Sequence, residues 1–407
     1  MDALSASAPA IGVLNAGSSS LKFALFAGTE LHSSGLIDWE DGVPFAHAHD
    51  AKGDSVVPPD VQRTAPKTVA DAMPAVLAWF ARDGRLDAVG HRVVHGGQTF
   101  DRPLLVTPDV LAQLEAFVPL APLHQPVSIA VIHAVAAALD VPQVVCFDTA
   151  FHRTNPPVAQ AYALPQRFAN DGVRRYGFHG LSYEYVASVL PEKIPEIAAG
   201  RVVVAHLGNG GSLCALANGA SQASTMGFST LDGVPMGTRP GEIDAGVLLY
   251  LLKHTGLSVA ELETLLYRES GMLGLSGISA DFRELEHSPL PAAAFALEVF
   301  AYRVASAVAA MACALGGLDG IVFTAGVGEH SAHIREAIVA RCAWLGVTLD
   351  PAANASHALR ISTRESRVVA CVIPTNEELT IARHVVALLS SAGGDRNDRV
   401  IGSAAHY

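Results

Sequence analysis

Apolar residues along the chain fall into short runs bounded by turn formers, alternating with stretches where they recur every three or four positions. The runs read as strands and the stretches as helices. A strand is predicted over 11–14, a small-residue turn over 15–20 and a strand back over 21–26. Residues 38–68 are rich in Pro, Gly, His and Asp with weak periodicity, and read as a long surface excursion. Helical spacing returns at 69–82, followed by a buried strand at 88–94, helices at 108–117 and 128–139, and a short strand at 144–147. The second half opens with an apolar strand at 202–207, a Gly-rich turn at 208–211 and a strand back at 213–216. This repeats the first plan about 190 residues later, which suggests an internal duplication. Helices are predicted at 246–254, 259–267, 291–315 and 334–345, strands at 320–324 and 368–373, and a last helix at 379–389 before a fraying polar tail. Strands mixed with helices in both halves predict an α/β protein of two similar lobes, with the cleft between them as the default site.

Composition narrows the class. A chain of 407 residues exceeds what one hydrophobic core usually serves, so two domains of about 150–200 residues each are expected. Half apolar and 16% charged, it has too much to bury for general disorder. Lys plus Arg (27) against Asp plus Glu (39) leaves a net charge of −12. That balance argues against nucleic-acid or membrane-surface partners, although a small site inside an acidic protein is free to be locally basic. Five scattered cysteines without CxxC spacing suit reduced thiols. No signal peptide is evident, and the longest apolar stretch, 304–318, is shorter than the roughly 20 residues of a membrane span. A core helix and a cytoplasmic location are expected.

Three turns of small residues each follow an apolar strand: Asn15-Ala-Gly-Ser-Ser-Ser20, His206-Leu-Gly-Asn-Gly-Gly-Ser212 and Ala325-Gly-Val-Gly-Glu-His330. Glycines let backbone N–H groups approach an anion, and Ser and Asn add donors. One such turn is more often a plain hairpin; three of one style favour phosphate binding. No Gly-Lys pair and no GxGxxG occur, so neither a P-loop nor a Rossmann site is supported. Arg92, at the end of a strand, and Arg239, in a Gly/Pro-rich loop, offer forks for carboxylate or phosphate, and a structural ion pair is the competing reading of each. Asp281-Phe-Arg283 is open to the same two readings. Asp148 and the pair Glu377-Glu378 follow strands, where carboxylates suit a hard cation such as Mg²⁺. An N-cap role is the alternative, and for Glu378 the preferred one. His124 and His179 stand out among 17 histidines for their rigid surroundings, and no HExxH or Cys/His cluster suggests zinc.

Ten segments together resemble the acetate kinase family: VLNAGSSSLKF (13–23), HRVVHGG (91–97), PLHQP (122–126), FDTAFH (147–152), RRYGFHGLSYEYV (174–186), AHLGNGGSLCA (205–215), STMGFSTLDGVPMGTRPGEIDAG (224–246), GISADFREL (277–285), FTAGVGEH (323–330) and PTNEELTIAR (374–383). The resemblance implies two RNase-H-like lobes of the actin/Hsc70 type with the active site in the interlobe cleft. It implies an N-terminal lobe of residues 1–149 plus 378–407 making carboxylate and phosphate contacts, and a C-terminal lobe of 150–377 for nucleotide binding and homodimerisation, with lobe closure during turnover.

By the same resemblance, Asn15 and Glu377 are magnesium-associated, with Mn²⁺ as an alternative metal, and Lys22 is a nucleotide position. Arg92 meets the substrate carboxylate, His124 belongs to the substrate site, and Val94, Leu123 and Phe178 wall the methyl pocket. Asp148 matches a proton donor or acceptor, and His179 and Arg239 match transition-state stabilisers. His206, Leu207, Gly208, Asn209 and Gly210, with Asp281, Phe282 and Arg283, and Gly326, Val327, Gly328, Glu329 and His330, match nucleotide-contact segments. A carboxylic acid of pKa about 4 is already ionised at pH 7, so Asp148 is expected to organise Mg²⁺ and its waters rather than act as base.

Two departures bear on specificity. Ser229-Thr230 replaces the usual Thr-Pro, which leaves the methyl pocket's size open, and His330 replaces the usual Asn on the adenosine side. The implied reaction is reversible transfer of the ATP γ-phosphate to acetate, giving acetyl phosphate and ADP. A propionate kinase of the same family is the alternative, and a nucleotide-driven chaperone-like ATPase is the rival from another class. That rival gives no role to Arg92 and Arg239.

Overall fold

The computed structural model describes residues 8–17, 20–40 and 42–401; Ser18 and Ser19 of the first small-residue turn lie outside the described residues. The chain divides into two compact units, residues 1–150 with 376–407, and residues 151–375. The return to the first unit falls before Asn376, two residues ahead of the expected boundary.

The first unit carries β1 (Ala10–Ala16), β2 (Ser20–Ala27), β3 (Glu30–Glu40), β4 (Val43–Asp50), β5 (Ser55–Val56), β6 (Ala88–Val93), β7 (Leu104–Leu105) and β8 (Gln143–Phe147). They form one sheet in the order β5-β4-β3-β2-β1-β6-β8-β7. The second unit carries β9 (Arg201–Leu207), β10 (Gly211–Ala217), β11 (Ala220–Ser224), β12 (Gly320–Thr324) and β13 (Val369–Val372), in the order β11-β10-β9-β12-β13. The duplication is explicit in these sheets. In each, a three-strand antiparallel meander (β1-β2-β3, β9-β10-β11) is extended from its first strand by two parallel strands (β6 and β8, β12 and β13). These are the two RNase-H-like units of an actin/Hsc70-type fold.

Three expectations are corrected. Residues 38–68 are not an excursion: β3 and β4 pair antiparallel from Ser33↔Asp50 to Glu40↔Val43, and β5 extends the sheet. The strand was hidden by composition. In β4 the inward positions are Pro44, Ala46 and Ala48 and the outward ones Phe45, His47 and His49, so the alternation is present with small residues and histidines in place of Val and Ile. Residues 325–330, read as a Gly-rich turn, form a short helix. The last helix spans Glu377–Ile401 rather than stopping at 389.

Each sheet buries aliphatic residues under helices. In the first unit, Phe23, Trp79 and Phe80 pack edge-on, with Phe23 and Trp79 centroids 4.9 Å apart. The helix carrying Trp79, Val69–Phe80, starts in a capping box between Thr68 and Asp71. Gly90 of β6 is required by the C-terminal helix: a Cβ there would lie 2.5 Å from Ile381 Cγ2. In the second unit the helix Pro291–Leu315 buries Leu297, Phe300, Val304 and Val308 against β9 and β10. It is long and apolar enough to cross a membrane, but this buried stripe makes it the central helix of the core. All five cysteines are free thiols, four of them buried.

Candidate active site

In the first unit the strand register assembles a charged cluster. β1 and β6 run parallel with Leu14 opposite His91, so the following residues, Asn15 and Arg92, meet at the strand ends. β6 and β8 pair Val93 with Phe147, which brings Asp148 alongside. Arg92 Nε donates to Asp148 Oδ1 and Oδ2 at 3.0 and 3.1 Å, and Nη2 donates to Oδ2 at 2.5 Å. Arg92 Nη1 reaches Asn15 Oδ1 at 3.4 Å, and Asn15 Nδ2 donates to Glu377 Oε2 and Glu378 Oε1, both at 2.9 Å. Burial opposes the charge on Arg92, but Asp148, Glu377 and Glu378 outweigh it and hold the guanidinium above its ordinary range.

The N-cap preference for Glu378 is overturned. The capping group is Asn376, whose Oδ1 accepts from Leu379 N at 2.9 Å, while Glu378 reaches Asn15. Asp148, read from sequence as a cation ligand, is paired with Arg92. Among the described residues no group of three or more His, Cys, Asp or Glu is gathered as a metal cage. The donor set nonetheless fits Mg²⁺: two carboxylate oxygens converge on one amide nitrogen, and this cation is commonly held by one or two carboxylates with waters and substrate phosphates. Lys22 stands opposite Asn15 across β1 and β2 and is exposed. Val94 is buried, and Leu123 and His124 are half-buried.

The second unit gathers a different set. His206, near the end of β9, pairs with Ser212 of β10 on one side and Thr324 of β12 on the other. Its ring stacks on His179 with centroids 4.2 Å apart and planes 17° from parallel. His179 opens the helix Gly180–Lys193 with φ 58°, a left-handed conformation uncommon for a side-chain-bearing residue. Its Nδ1 lies 2.8 Å from Ser212 Oγ. Arg239 is half-buried and makes one side-chain hydrogen bond among the described residues, from Nη1 to Thr230 O at 2.7 Å. It has no carboxylate partner there, and burial lowers its pKa to about 10. A Cβ on Gly210 would sit 2.8 Å from Arg239 Nη2 and 3.5 Å from His179 Nε2. The two side chains therefore converge on this glycine.

Beside them opens a cavity of about 610 Å³, lined by Gly208, Asn209, Asp281, Phe282, Arg283, Gly326, Val327 and His330, with Ala280, Glu286 and Ser331. Three segments far apart in sequence thus share one wall. His206, Leu207, Gly210, Gly328, Glu329 and Lys22 do not line it. Phe178, expected in the methyl pocket, is buried in the second unit. Arg283 spends its fork on Asp281, with Nη2 to Oδ2 at 2.6 Å, so at rest it favours the ion-pair reading.

Sequence reasoning missed Arg335, which is fully buried and donates to Gly328 O, Glu329 O and Asn354 O at 2.8–2.9 Å. It fastens the helical turn 325–330 from behind. The signal was there: Arg335 sits in phase with Ile334, Ile338 and Val339 on the buried stripe of its helix, where a lone cation demands acceptors. Ser212, read from the sequence as a donor of its turn, stands behind His179, and Tyr183, which was missed, stands behind Ser212.

Residues 10–383 match the Acetokinase family. The chain is 51% identical over 398 residues to an acetate kinase of Nitrobacter hamburgensis, covering 95% of this chain and 98% of the relative. It is 52% identical over 385 residues to one of Rhodopseudomonas palustris, covering 92% and 96%. Among solved structures, an acetate kinase of Porphyromonas gingivalis superposes with a TM-score of 0.82 at 35% identity, covering 94% of this chain and all of the other (100%). A propionate kinase of Francisella tularensis gives 0.84 at 34% identity, covering 92% and 98%. This chain is an enzyme of the acetokinase family.

Proposed function

We propose that the protein transfers the γ-phosphoryl group of ATP reversibly to acetate, giving acetyl phosphate and ADP by direct in-line attack. The observation that carries this is Arg239: a half-buried guanidinium without a carboxylate partner among the described residues, converging with His179 on Gly210. A cation held out of water without a counter-ion is poised for an anion that arrives with the substrate. An acetate oxygen attacks the γ-phosphorus as the bond to the β-phosphate oxygen breaks, so two anions must be brought together. Positioned cations and donors supply most of the catalysis. When bound, Mg²⁺ or Mn²⁺ offsets phosphate charge, with Asn15 and Glu377 as the residues to hold it.

The chain's own groups divide the work. Arg92 orients the acetate carboxylate, and Asp148, bidentate on that guanidinium, holds it in position. Arg239 and His179 donate to phosphoryl oxygens as charge spreads over them. The cavity's glycine-rich and 281–283 segments suit ATP or ADP. The proposal calls on neither nucleic acid nor membrane, and a cytoplasmic location accords with five free thiols.

A homodimer formed through the second unit is part of the proposal. The helix Ala245–His254 buries none of its residues, and Val247, Leu249 and Tyr250 are 42%, 54% and 60% exposed. Such an apolar face is unusual for a monomer. Sedimentation should give a dimer that Tyr250→Glu weakens; a monomeric wild type would refute this part.

Propionate is the second reading, favoured by Thr230. Its carbonyl holds Arg239, so the departure from Thr-Pro lies directly beside the catalytic guanidinium. Initial rates of ADP formation with acetate, propionate and butyrate decide between them. Highest kcat/KM for acetate supports the proposal, a maximum at propionate renames the substrate, and ADP release indifferent to every carboxylate defeats both.

A further inference from the structure

We infer that Tyr183 and Ser212 form a buried hydroxyl relay that fixes His179 as the neutral tautomer carrying its proton on Nε2. This rests on the reading of His179 as a donor to the phosphoryl group, and it specifies how that donor is kept ready.

The argument is a proton count. Tyr183 and Ser212 are both fully buried. Among the described residues the Tyr183 hydroxyl has one hydrogen-bond partner, Ser212 Oγ at 2.5 Å, and the Ser212 hydroxyl has one other, His179 Nδ1 at 2.8 Å. Burial pushes the phenol's ionisation well above its ordinary range, so its proton stays on. Two hydroxyl protons and one ring nitrogen must therefore be matched without water. If His179 Nδ1 carried a proton and donated to Ser212, either the serine or the phenol proton would be left without an acceptor. A buried unmatched donor is heavily disfavoured.

Only one arrangement satisfies every group. Tyr183 donates to Ser212 Oγ, Ser212 donates to His179 Nδ1, and the imidazole's own proton resides on Nε2. That is the nitrogen converging with Arg239 Nη2 on Gly210.

The neighbouring ring is served in the same way. Thr375 Oγ1 donates to Ser182 Oγ at 2.8 Å, and Ser182 Oγ lies 2.8 Å from His206 Nδ1. Ser182 and Tyr183 are consecutive residues of the helix that begins after His179, so one helical turn supplies both relays. The pairing has an electrostatic purpose. Two imidazolium rings stacked at 4.2 Å would repel, and Arg239 already brings one positive charge to the site. Relays that deliver a hydroxyl proton to each Nδ1 hold both rings neutral. His179 then gives a hydrogen bond to the phosphoryl oxygen without giving up its proton, and Tyr183 and Ser212 are positioning residues for it.

Nitrogen-edited NMR of the ring ¹⁵N nuclei tests this in the full-length, ligand-free protein at pH 7, with His179 assigned by its loss in His179→Gln. The expected wild-type pattern is protonated Nε2 and unprotonated, hydrogen-bonded Nδ1. Tyr183→Phe and Ser212→Ala should each alter the Nδ1 signal and lower kcat by roughly tenfold, as loss of an orienting partner typically does. KM for ATP and acetate should stay within about twofold, and Ser212→Thr, which keeps a hydroxyl, should recover most of kcat. A wild-type ring protonated on Nδ1, or doubly protonated, overturns the inference, as does Tyr183→Phe with unchanged Nδ1 signal and kcat. Should the wild type make no ADP in response to any carboxylate, the functional reading fails while the ring signature still decides the relay.

Discussion

The two arginines proposed to meet substrate are held in opposite ways. In the first unit Arg92 is surrounded by carboxylates: Asp148 grips it directly, and Glu377 and Glu378 sit one amide away on Asn15. In the second unit Arg239 has a single backbone acceptor and no carboxylate among the described residues. Both stand near the ends of duplicated strands, and the duplication makes the contrast sharper. Asn15 and His206 each occupy the sixth position of corresponding strands, Ala10–Ala16 and Arg201–Leu207, yet one gathers acids and the other stacks imidazoles. The difference teaches that a neutralised guanidinium stabilises the fold as well as presenting a fork. In the proposed mechanism an uncompensated one keeps its charge for the anion that arrives with the substrate.

Acid should produce the largest effect. Burial lowers the pKa values of His91 and His95 in the first unit and His152 in the second to about 4. For a base whose folded pKa is depressed, the contribution to stability is present above the unfolded value and lost as pH falls. The window therefore runs from about 6.5 down to about 4, with a ceiling on the order of 3 kcal/mol per histidine. All three titrate in that window, so hydrogen-exchange protection around them should fall as the pH drops through it. A flat profile across the window would contradict this.

Arg92→Leu comes next, because it strands Asp148 in a buried position. Breaking such a pair typically costs ~3–5 kcal/mol, so the urea midpoint should fall along with activity; an unchanged midpoint would erase the distinction between the two arginines. Arg239→Leu should lose about 10²–10³ in kcat/KM, as removal of one transition-state donor does. Its urea midpoint should hold or rise, and a fall like that of Arg92→Leu would break the comparison. Smallest is Gly210→Ala. Its Cβ would press on Arg239 Nη2 at 2.8 Å and should cost roughly tenfold in kcat, about 1.4 kcal/mol, without loss of stability. Full activity in that variant would mean that the two donors need not converge there.

Much of this architecture was legible in the sequence, wherever one physical signal dominated. Helix Pro291–Leu315 and strand Gly320–Thr324 emerge with their observed bounds because periodicity, Pro at the start and Gly at the end agree. The duplicated strand–turn–strand was visible for the same reason. The hairpin of β3 and β4 was not, since its alternation is carried by Ala46, Ala48, His47 and His49. At the site, residue types at strand ends drew attention to Asp148, Arg92 and Glu377, but partner choice lies in three dimensions. That Asp148 grips Arg92, and that Glu378 reaches Asn15 while Asn376 caps the helix, depends on strand register that no local pattern encodes. Tyr183 and Arg335 meet partners distant in sequence, Ser212 Oγ and Asn354 O; of the two only Arg335, a cation on an apolar stripe, left a trace.

The most direct measurement is product stoichiometry. Wild-type protein is incubated with Mg-ATP and acetate in hydroxylamine, which captures acetyl phosphate as the hydroxamate, and ADP is counted in the same sample. The account predicts hydroxamate and ADP mole for mole, both absent without acetate. ADP formed without hydroxamate, at a rate acetate does not change, would contradict it.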